Sequence, residues 1–184
     1  MRMRRIITVT LGILLSLSMN GQNVSVSTNL ADYAMLGTLN VGASVGVDRH
    51  WTVDASLKYN PFTFRSDFGT GQYQQRLLSA GAKWWPWHIF SGWWACAKAQ
   101  YQEFSNGGFS SAEISEGDRY GGNLSAGYTY MLGEHLNLDF GLGLWGGYEK
   151  YVTYACPSCG SVVDEGAKYF ILPSDIILSL SYIF

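Results

Sequence analysis

The last nine residues, Ile176-Ile177-Leu178-Ser179-Leu180-Ser181-Tyr182-Ile183-Phe184, alternate with a period of two. Ile176, Leu178, Leu180, Tyr182 and Phe184 fall on one face, and Ser179 and Ser181 share the other with Ile177 and Ile183. Successive side chains of a strand point to opposite sides, so this is a strand with one continuous apolar face. It stops on an aromatic residue. Two homes suit such a strand: the edge of a soluble sheet, or the closing position of a sheet that returns on itself.

The same alternation recurs upstream. Strands are expected at Gln22–Leu30, Thr38–Val47, Trp51–Phe62, Tyr73–Trp85, Trp93–Phe104, Tyr120–Leu132, from Leu136 towards Tyr154, and from about Lys168 to Phe184 with a bend near Pro173. In the second, Leu39, Val41, Ala43, Val45 and Val47 oppose Asn40, Gly42, Ser44 and Gly46. Connections alternate in length. Asp48–His50, Pro86–Gly92 and Gly133–His135 are short connections and Ala31–Gly37 a short loop, whereas Thr63–Gln72, Ser105–Arg119 and Ala155–Gly166 are longer.

Composition narrows the choice. The chain holds 22 Gly, 12 Tyr, 9 Phe and 7 Trp but only 4 Pro. Residues 1–21 read as a secretory signal, with Arg2, Arg4 and Arg5 ahead of the apolar run Ile6–Leu17, which is too short for a membrane helix. Without those three arginines, 9 basic residues face 14 acidic ones, a charge of −5, which disfavours nucleic acid as a partner. The expected domain is therefore 22–184, an all-β, eight-stranded antiparallel up-and-down transmembrane β-barrel. Eight strands leave an interior that side chains fill. Short connections on the periplasmic side put both termini in the periplasm of a Gram-negative bacterium, with the barrel a monomer in outer-membrane lipid.

The ending on Tyr182 and Phe184 resembles the closing strand of bacterial outer-membrane barrels, which implies recognition by the barrel-assembly machinery. A wider resemblance rests on Ser27-Thr28-Asn29-Leu30, Leu39-Asn40-Val41-Gly42, His50-Trp51-Thr52-Val53-Asp54, Tyr59-Asn60-Pro61-Phe62, Cys156-Pro157-Ser158-Cys159 and Lys168-Tyr169-Phe170. With these the chain resembles, over essentially all of 22–184, a Bacteroidota family of small outer-membrane barrels of unknown function often encoded near fimbrial genes. The resemblance implies no activity. Where that family often carries charged inward residues, this chain has Ser27, Ser44 and Gly81, so a reduced interior charge network is expected.

Chemistry has few places to sit. His50, His88 and His135 all fall in short turns, where hydrogen-bonded structural roles are expected, and no nucleophile, zinc or phosphate motif is present. Asp54 and Asp139 occupy matching places in two similar hairpins, with Lys83 and Lys98 at similar depth and inward by parity. A charge-compensated lumen plug is expected from these four, because isolated buried charges are costly; a proton relay or ion site is the sharper alternative. Cys156 and Cys159 suit a disulfide, with metal or free thiols the alternatives, and Cys96 is a small lumen filler. A ring closed by that disulfide is very short, so it adds under about 2 kcal/mol. No cofactor or resident metal is expected.

The expected function is non-enzymatic: a barrel displaying loops for adhesion, or for anchoring a fimbrial or other surface partner. A small channel, or a membrane enzyme acting on lipid or peptide, are the alternatives. Deleting Phe184 removes an outward aromatic and the terminal recognition feature. Outer-membrane insertion, measured by fractionation, is expected to fall several-fold; equal insertion of the truncated chain contradicts the reading of the terminus.

Overall fold

A computed structural model describes residues 24–66, 69–109, 112–156 and 160–184. The expected signal segment lies outside the described residues. The described chain is all-β with one short helix: β1 (Val24–Asn29), α1 (Leu30–Ala34), β2 (Leu39–Asp48), β3 (Trp51–Asn60), β4 (Thr63–Ser66), β5 (Gly69–Trp84), β6 (Gly92–Gly107), β7 (Ile114–Met131), β8 (Leu136–Tyr154) and β9 (Val162–Ile183). Sequence neighbours pair antiparallel except β3 and β4; β3 pairs directly with β5, leaving β4 as a short flap on β5 alone. β1 pairs with β9, from Ser25 opposite Ile183 to Asn29 opposite Ser179. The sheet therefore closes into a ring of hydrogen-bonded antiparallel strands, and closure removes the exposed edges that an open sheet must protect.

Burial is inverted relative to a water-soluble core. Thr52, Asn60, Asn123, Thr129 and Asn137 are among the most deeply buried side chains. Leu124, Leu142 and Ile176, by contrast, stand between 65% and 69% exposed on the outer face. Parity read from the sequence accounts for this: alternate residues of one strand pass to the interior and to the outside. Trp51, Trp84, Trp87 and Trp93 are exposed near the short-turn end, while Trp85 and Trp94 turn inward.

The short-turn end is closed by an apolar plug. Between β5 and β6 the chain folds inward, so that Trp85, Ile89 and Phe90 pack with Trp94, Cys96 and Ile183. Phe90 takes a positive φ of 61°, and its carbonyl accepts a hydrogen bond from the buried Asn137 amide at 2.7 Å. Small residues make room for the indole of Trp94: a Cβ at Gly127 would stand 2.5 Å from that ring. At Gly81 a Cβ would run into the Ala97 carbonyl and the Lys98 backbone. The missing inward charge at position 81 is thus excluded by the neighbouring strand.

Several expected boundaries are corrected. The loop expected at 63–72 contains β4 and the start of β5, so nine strands are present among the described residues, with β4 paired to β5 alone. The loop 105–119 is largely strand, since β6 runs on to Gly107 and β7 begins at Ile114, and the loop 155–166 becomes strand from Val162. These extensions are mostly polar, with Ile114, Val162 and Val163 the exceptions, so they lack a regular apolar alternation. Cross-strand contacts hold them, among them Tyr101 Oη donating to Asp118 at 2.8 Å and Ser105 Oγ donating to Glu116 at 3.0 Å. Strand three ends at Asn60 rather than Phe62. The bend expected near Pro173 is a register shift, with Gly143 opposite Asp175 and Leu144 opposite Pro173.

The loop 31–37 is also corrected, since α1 occupies most of it. Asn29 caps the helix by accepting from Ala31 N at 3.3 Å. The same side chain continues the β1–β9 ladder: its Oδ1 accepts from Leu178 N at 2.9 Å and its Nδ2 donates to Ile176 O at 3.1 Å. Asn40 does the same for β2, accepting from Asn29 N at 2.6 Å and donating to Asn29 O at 2.9 Å. Asn60 Nδ2 donates to Leu36 O and to Thr38 Oγ1, both at 3.1 Å. Three motif asparagines thus end their strands in side-chain amides that stand in for backbone. Asn29→Ala is expected to destabilise the ring by about 1–3 kcal/mol, because three hydrogen bonds worth about 0.5–1.5 kcal/mol each are lost. Hydrogen exchange should accelerate at Leu178 and Ala31, while amides in β6 and β7 keep their protection.

Candidate functional site

The interior is a column of polar side chains standing on the apolar plug. In its lowest layer Lys83 Nζ lies 3.1 Å from Asp54, and both side chains are nearly buried. Thr52 Oγ1 donates to Asp54 at 2.9 Å, and Trp85 Nε1 donates to Thr52 Oγ1 at 3.3 Å, which ties the charge to the plug beneath. The Lys83 ammonium sits 4.7 Å and 5.3 Å from the ring centres of Trp94 and Trp85, so indole faces supply part of the solvation it has lost.

The expected four-residue charge layer is only partly joined. Asp139 accepts from Thr129 Oγ1 and, at 2.6 Å, from Ser181 Oγ. Lys98 lines the same cavity as Asp54, Lys83 and Asp139, and among the described residues the direct ion pair is Asp54–Lys83. The reason is placement: hydroxyls on β7 and β9 reach Asp139 first.

The histidines make a repeated clamp. His50 O accepts from Trp85 N at 2.9 Å while His50 Nδ1 donates to Trp85 O at 2.9 Å. His135 O accepts from Ile183 N at 2.8 Å while His135 Nδ1 donates to Ile183 O at 3.0 Å. A carbonyl can only accept, so both rings carry their proton on Nδ1. Each clamp holds the end of the next ring strand, and each is followed four residues later by the buried Asp54 or Asp139. His88 Nδ1 bonds Ile89 O at 3.1 Å.

Two further layers lie above and were not anticipated. Asp32, carried inward by α1, meets Lys58 Nζ at 3.0 Å. Higher still, Glu149 is buried and accepts from Arg119 Nε, with Lys168 Nζ at 3.5 Å. The Arg119 guanidinium lies 3.9 Å over the Phe104 ring centre and 5.8 Å from that of Phe170. Lys58 was legible as inward by parity; its partner lay in a stretch without periodicity. Parity carried back from Asn123 to Arg119, and forward from Asp139 to Glu149, places that pair inside. On the outer hairpin, the Tyr151 phenol donates to Asp164 at 3.1 Å, and that carboxylate holds its pKa above the ordinary tyrosine value.

These layers divide the interior into spaces. A cavity of about 90 Å³ holds the Asp54 layer. Above it is a chamber of about 240 Å³, and at the hairpin end a mouth of about 480 Å³. Asp32 and Lys58 line both the cavity and the chamber, and Arg119 lines both the chamber and the mouth. Among the described residues no group of His, Cys, Asp or Glu is placed to hold a metal ion. Cys156 takes part in a disulfide; Cys159, its expected partner, lies outside the described residues. Cys96 is a free, buried thiol in the plug. Tyr182 and Phe184 stand exposed on the outer face, their rings 5.0 Å apart, with His135 stacked 5.8 Å from Tyr182.

Lys83→Ala leaves Asp54 buried without its cation and is expected to destabilise the folded protein by about 3–5 kcal/mol. The double change Lys83→Met with Asp54→Leu removes both charges and is expected to come within about 1 kcal/mol of the parent, or above it. Denaturant unfolding in detergent micelles checks both, and additive losses in the double variant would contradict a coupled pair.

No curated protein and no solved structure matches the chain. A family model does, over residues 7–184, which takes in all of the ring, its plug and its charge layers. The motif asparagines and the His-to-Asp hairpins lie within that span, so the chain belongs to the family described as protein of unknown function DUF3575.

Proposed function

We propose that the chain is an eight-stranded transmembrane β-barrel of a Gram-negative outer membrane, monomeric, with both termini periplasmic. In this reading it is non-enzymatic and acts as a sealed platform for a surface protein partner. The observation that carries the reading is the inside-out ring: leucines and isoleucines exposed outside, asparagines, threonines and paired charges buried inside. A lipid surround suits that outer face, and a closed ring is the strand architecture that leaves no unpaired backbone in hydrocarbon. The four exposed tryptophans near the short turns fit one interface, and Tyr59, Tyr101 and Tyr169 fit the other.

The interior favours a plug over a pore. An apolar floor and successive ion-paired layers stand across the path a solute would take. An enzyme is disfavoured because all three histidines sit in short turns, at the opposite end of the ring from the hairpin mouth. Display is favoured by the hairpins β6–β7 and β8–β9, which continue as paired strands to Gly107–Ile114 and Tyr154–Val162. Pairing holds the stems of both hairpins in place, so a partner that meets the stems finds a surface with little ordering entropy left to lose.

Unheated protein is expected to run faster than heat-denatured protein on a detergent gel, and purified protein should give no stable unit conductance in planar bilayers. A reproducible conductance step overturns the plug. Replacing 155–161 by a short Gly-Ser linker should leave the gel shift unchanged and reduce crosslinking to a surface partner at least several-fold, with fimbrial subunits the first to probe. Undiminished crosslinking places the partner elsewhere.

A further inference from the structure

Closure of the ring is confined to the level of its seam. β1 pairs with β9 only as far as Asn29 opposite Ser179, and β2 begins at Leu39, so above them α1 takes the place of both strands. β6, β7 and β8 continue past this level, and β9 is paired with β8 from Val162 down. The upper tier is therefore an open sheet with two edges, β4 and β9. β4 is four residues long, and a very short edge strand is one way a sheet limits unwanted pairing. β9 has no such guard. Among the described residues, no backbone pairs with it on the β1 side between Val162 and Leu172.

The seam fixes which groups turn to that open side. Leu178 N and Ile176 O face β1, where the Asn29 amide meets them. Bonding alternates residue by residue, and the register shift at Pro173 changes the parity. Ile171, Tyr169, Ala167 and Glu165 thus present N–H and C=O to the open side. Pro173 falls in the same series, and a residue without N–H is tolerated where no ladder bond is made. Side-chain exposure agrees. Tyr101, Tyr120, Tyr148 and Tyr169 form one cross-strand row. Tyr101 and Tyr120, with strands on both sides, are 42% and 47% exposed, whereas Tyr169 is 86% exposed. The missing cover is that of one more strand.

A row of alternating backbone donors and acceptors is matched in full by another extended backbone. The side chains set its chemistry. Asp164 and Glu165 lie near the hairpin tip, and among the described residues neither has an ion pair. Tyr169 and Ile171 lie towards the rim. The complementary strand is therefore basic where it meets the two carboxylates and apolar where it meets Tyr169 and Ile171. A second copy would match Asp164 to Lys168 about Gly166, but the antiparallel sense of this sheet would invert it, and two barrels in one membrane share an orientation.

We propose that the free edge of β9, from Glu165 to Ile171, binds an extended segment of a surface protein as an added antiparallel strand, apolar at its start and basic at its end. That this edge faces the cell surface rests on the display reading; the free edge itself does not.

The probe is a short synthetic peptide of alternating Thr and Val, with Tyr at its amino end and two Lys at its carboxyl end, added to full-length protein in detergent micelles. Saturable binding by calorimetry and slowed hydrogen exchange at the Ala167 and Tyr169 amides are expected. A fully N-methylated version should not bind, and one with Glu for Lys should bind several-fold more weakly. Glu165→Lys should narrow or reverse that preference. Ala167→Pro removes an edge N–H and should abolish binding with the heat-dependent gel shift unchanged. No protection at the edge, binding of the N-methylated peptide, or a charge preference unmoved by Glu165→Lys would each overturn the proposal. A dimer of the parent protein that Ala167→Pro dissolves would overturn it too, by giving the edge to a second copy. On intact cells, a surface partner crosslinked equally well to Ala167→Pro overturns the proposal and leaves display standing. Peptide binding in micelles with no surface partner crosslinked to the parent sinks display and leaves the edge.

Discussion

Closure between the two ends of the chain is the constraint from which the rest follows. β1 pairs five residues with β9, Ser25 to Asn29, and the Asn29 side-chain amide extends the ladder with bonds to Ile176 and Leu178. Without that seam, β1 and β9 become edges and the interior opens to the outside. With it, the interior is cut off from solvent, and any charge placed there must find its partner among residues of the ring or of α1. Asn29 therefore serves three tasks with one side chain: it caps α1, extends the seam and, through α1, delivers Asp32 to Lys58.

The interior is filled in two ways. At the short-turn end the filling is apolar, and tight enough that glycines on β7 and β8 are needed beneath Trp94. Elsewhere it is a stack of ion pairs and amides. Buried ion pairs add little net stability over apolar residues of equal volume, because desolvation offsets much of their attraction. What they do impose is register. A one-residue slip of β3 against β5 would move Asp54 away from Lys83 and turn one of them outward. The paired layers thus penalise wrong pairings more than they reward the right one. The stacking of Lys83 on Trp94 and Trp85 joins the two kinds of filling.

The ring also repeats itself. The segment from His50 to Trp85 and that from His135 to Ile183 use the same clamp, with ring nitrogen and backbone carbonyl of one histidine both bonded to the last inward residue of the next strand. In both, the following aspartate is buried and served by hydroxyls. The repeats differ in their cation. Asp54 has Lys83, whereas on the Asp139 side of the ring Gly127 and Gly141 give room to Trp94 rather than to a lysine.

What the sequence alone determined was facing. Alternation with a period of two sorted Leu124 from Asn123 and Trp93 from Trp94, because a strand has two sides and nothing further is needed to assign them. It also located the short turns, the aspartates of the matched hairpins and the terminal aromatics. Three things were decided only by the tertiary structure. The polar extensions of β6–β7 and β8–β9 carry no apolar alternation, and become strands because the paired ladder beneath them continues upward. The inward fold of Ile89 and Phe90 requires the empty end of the ring. The pairs Asp32–Lys58 and Arg119–Glu149 needed the fold to choose their partners: Arg119 stands directly opposite Glu149 in the β7–β8 ladder, and Asp32 reaches Lys58 only because α1 carries it inward, neither of which a period of two can specify.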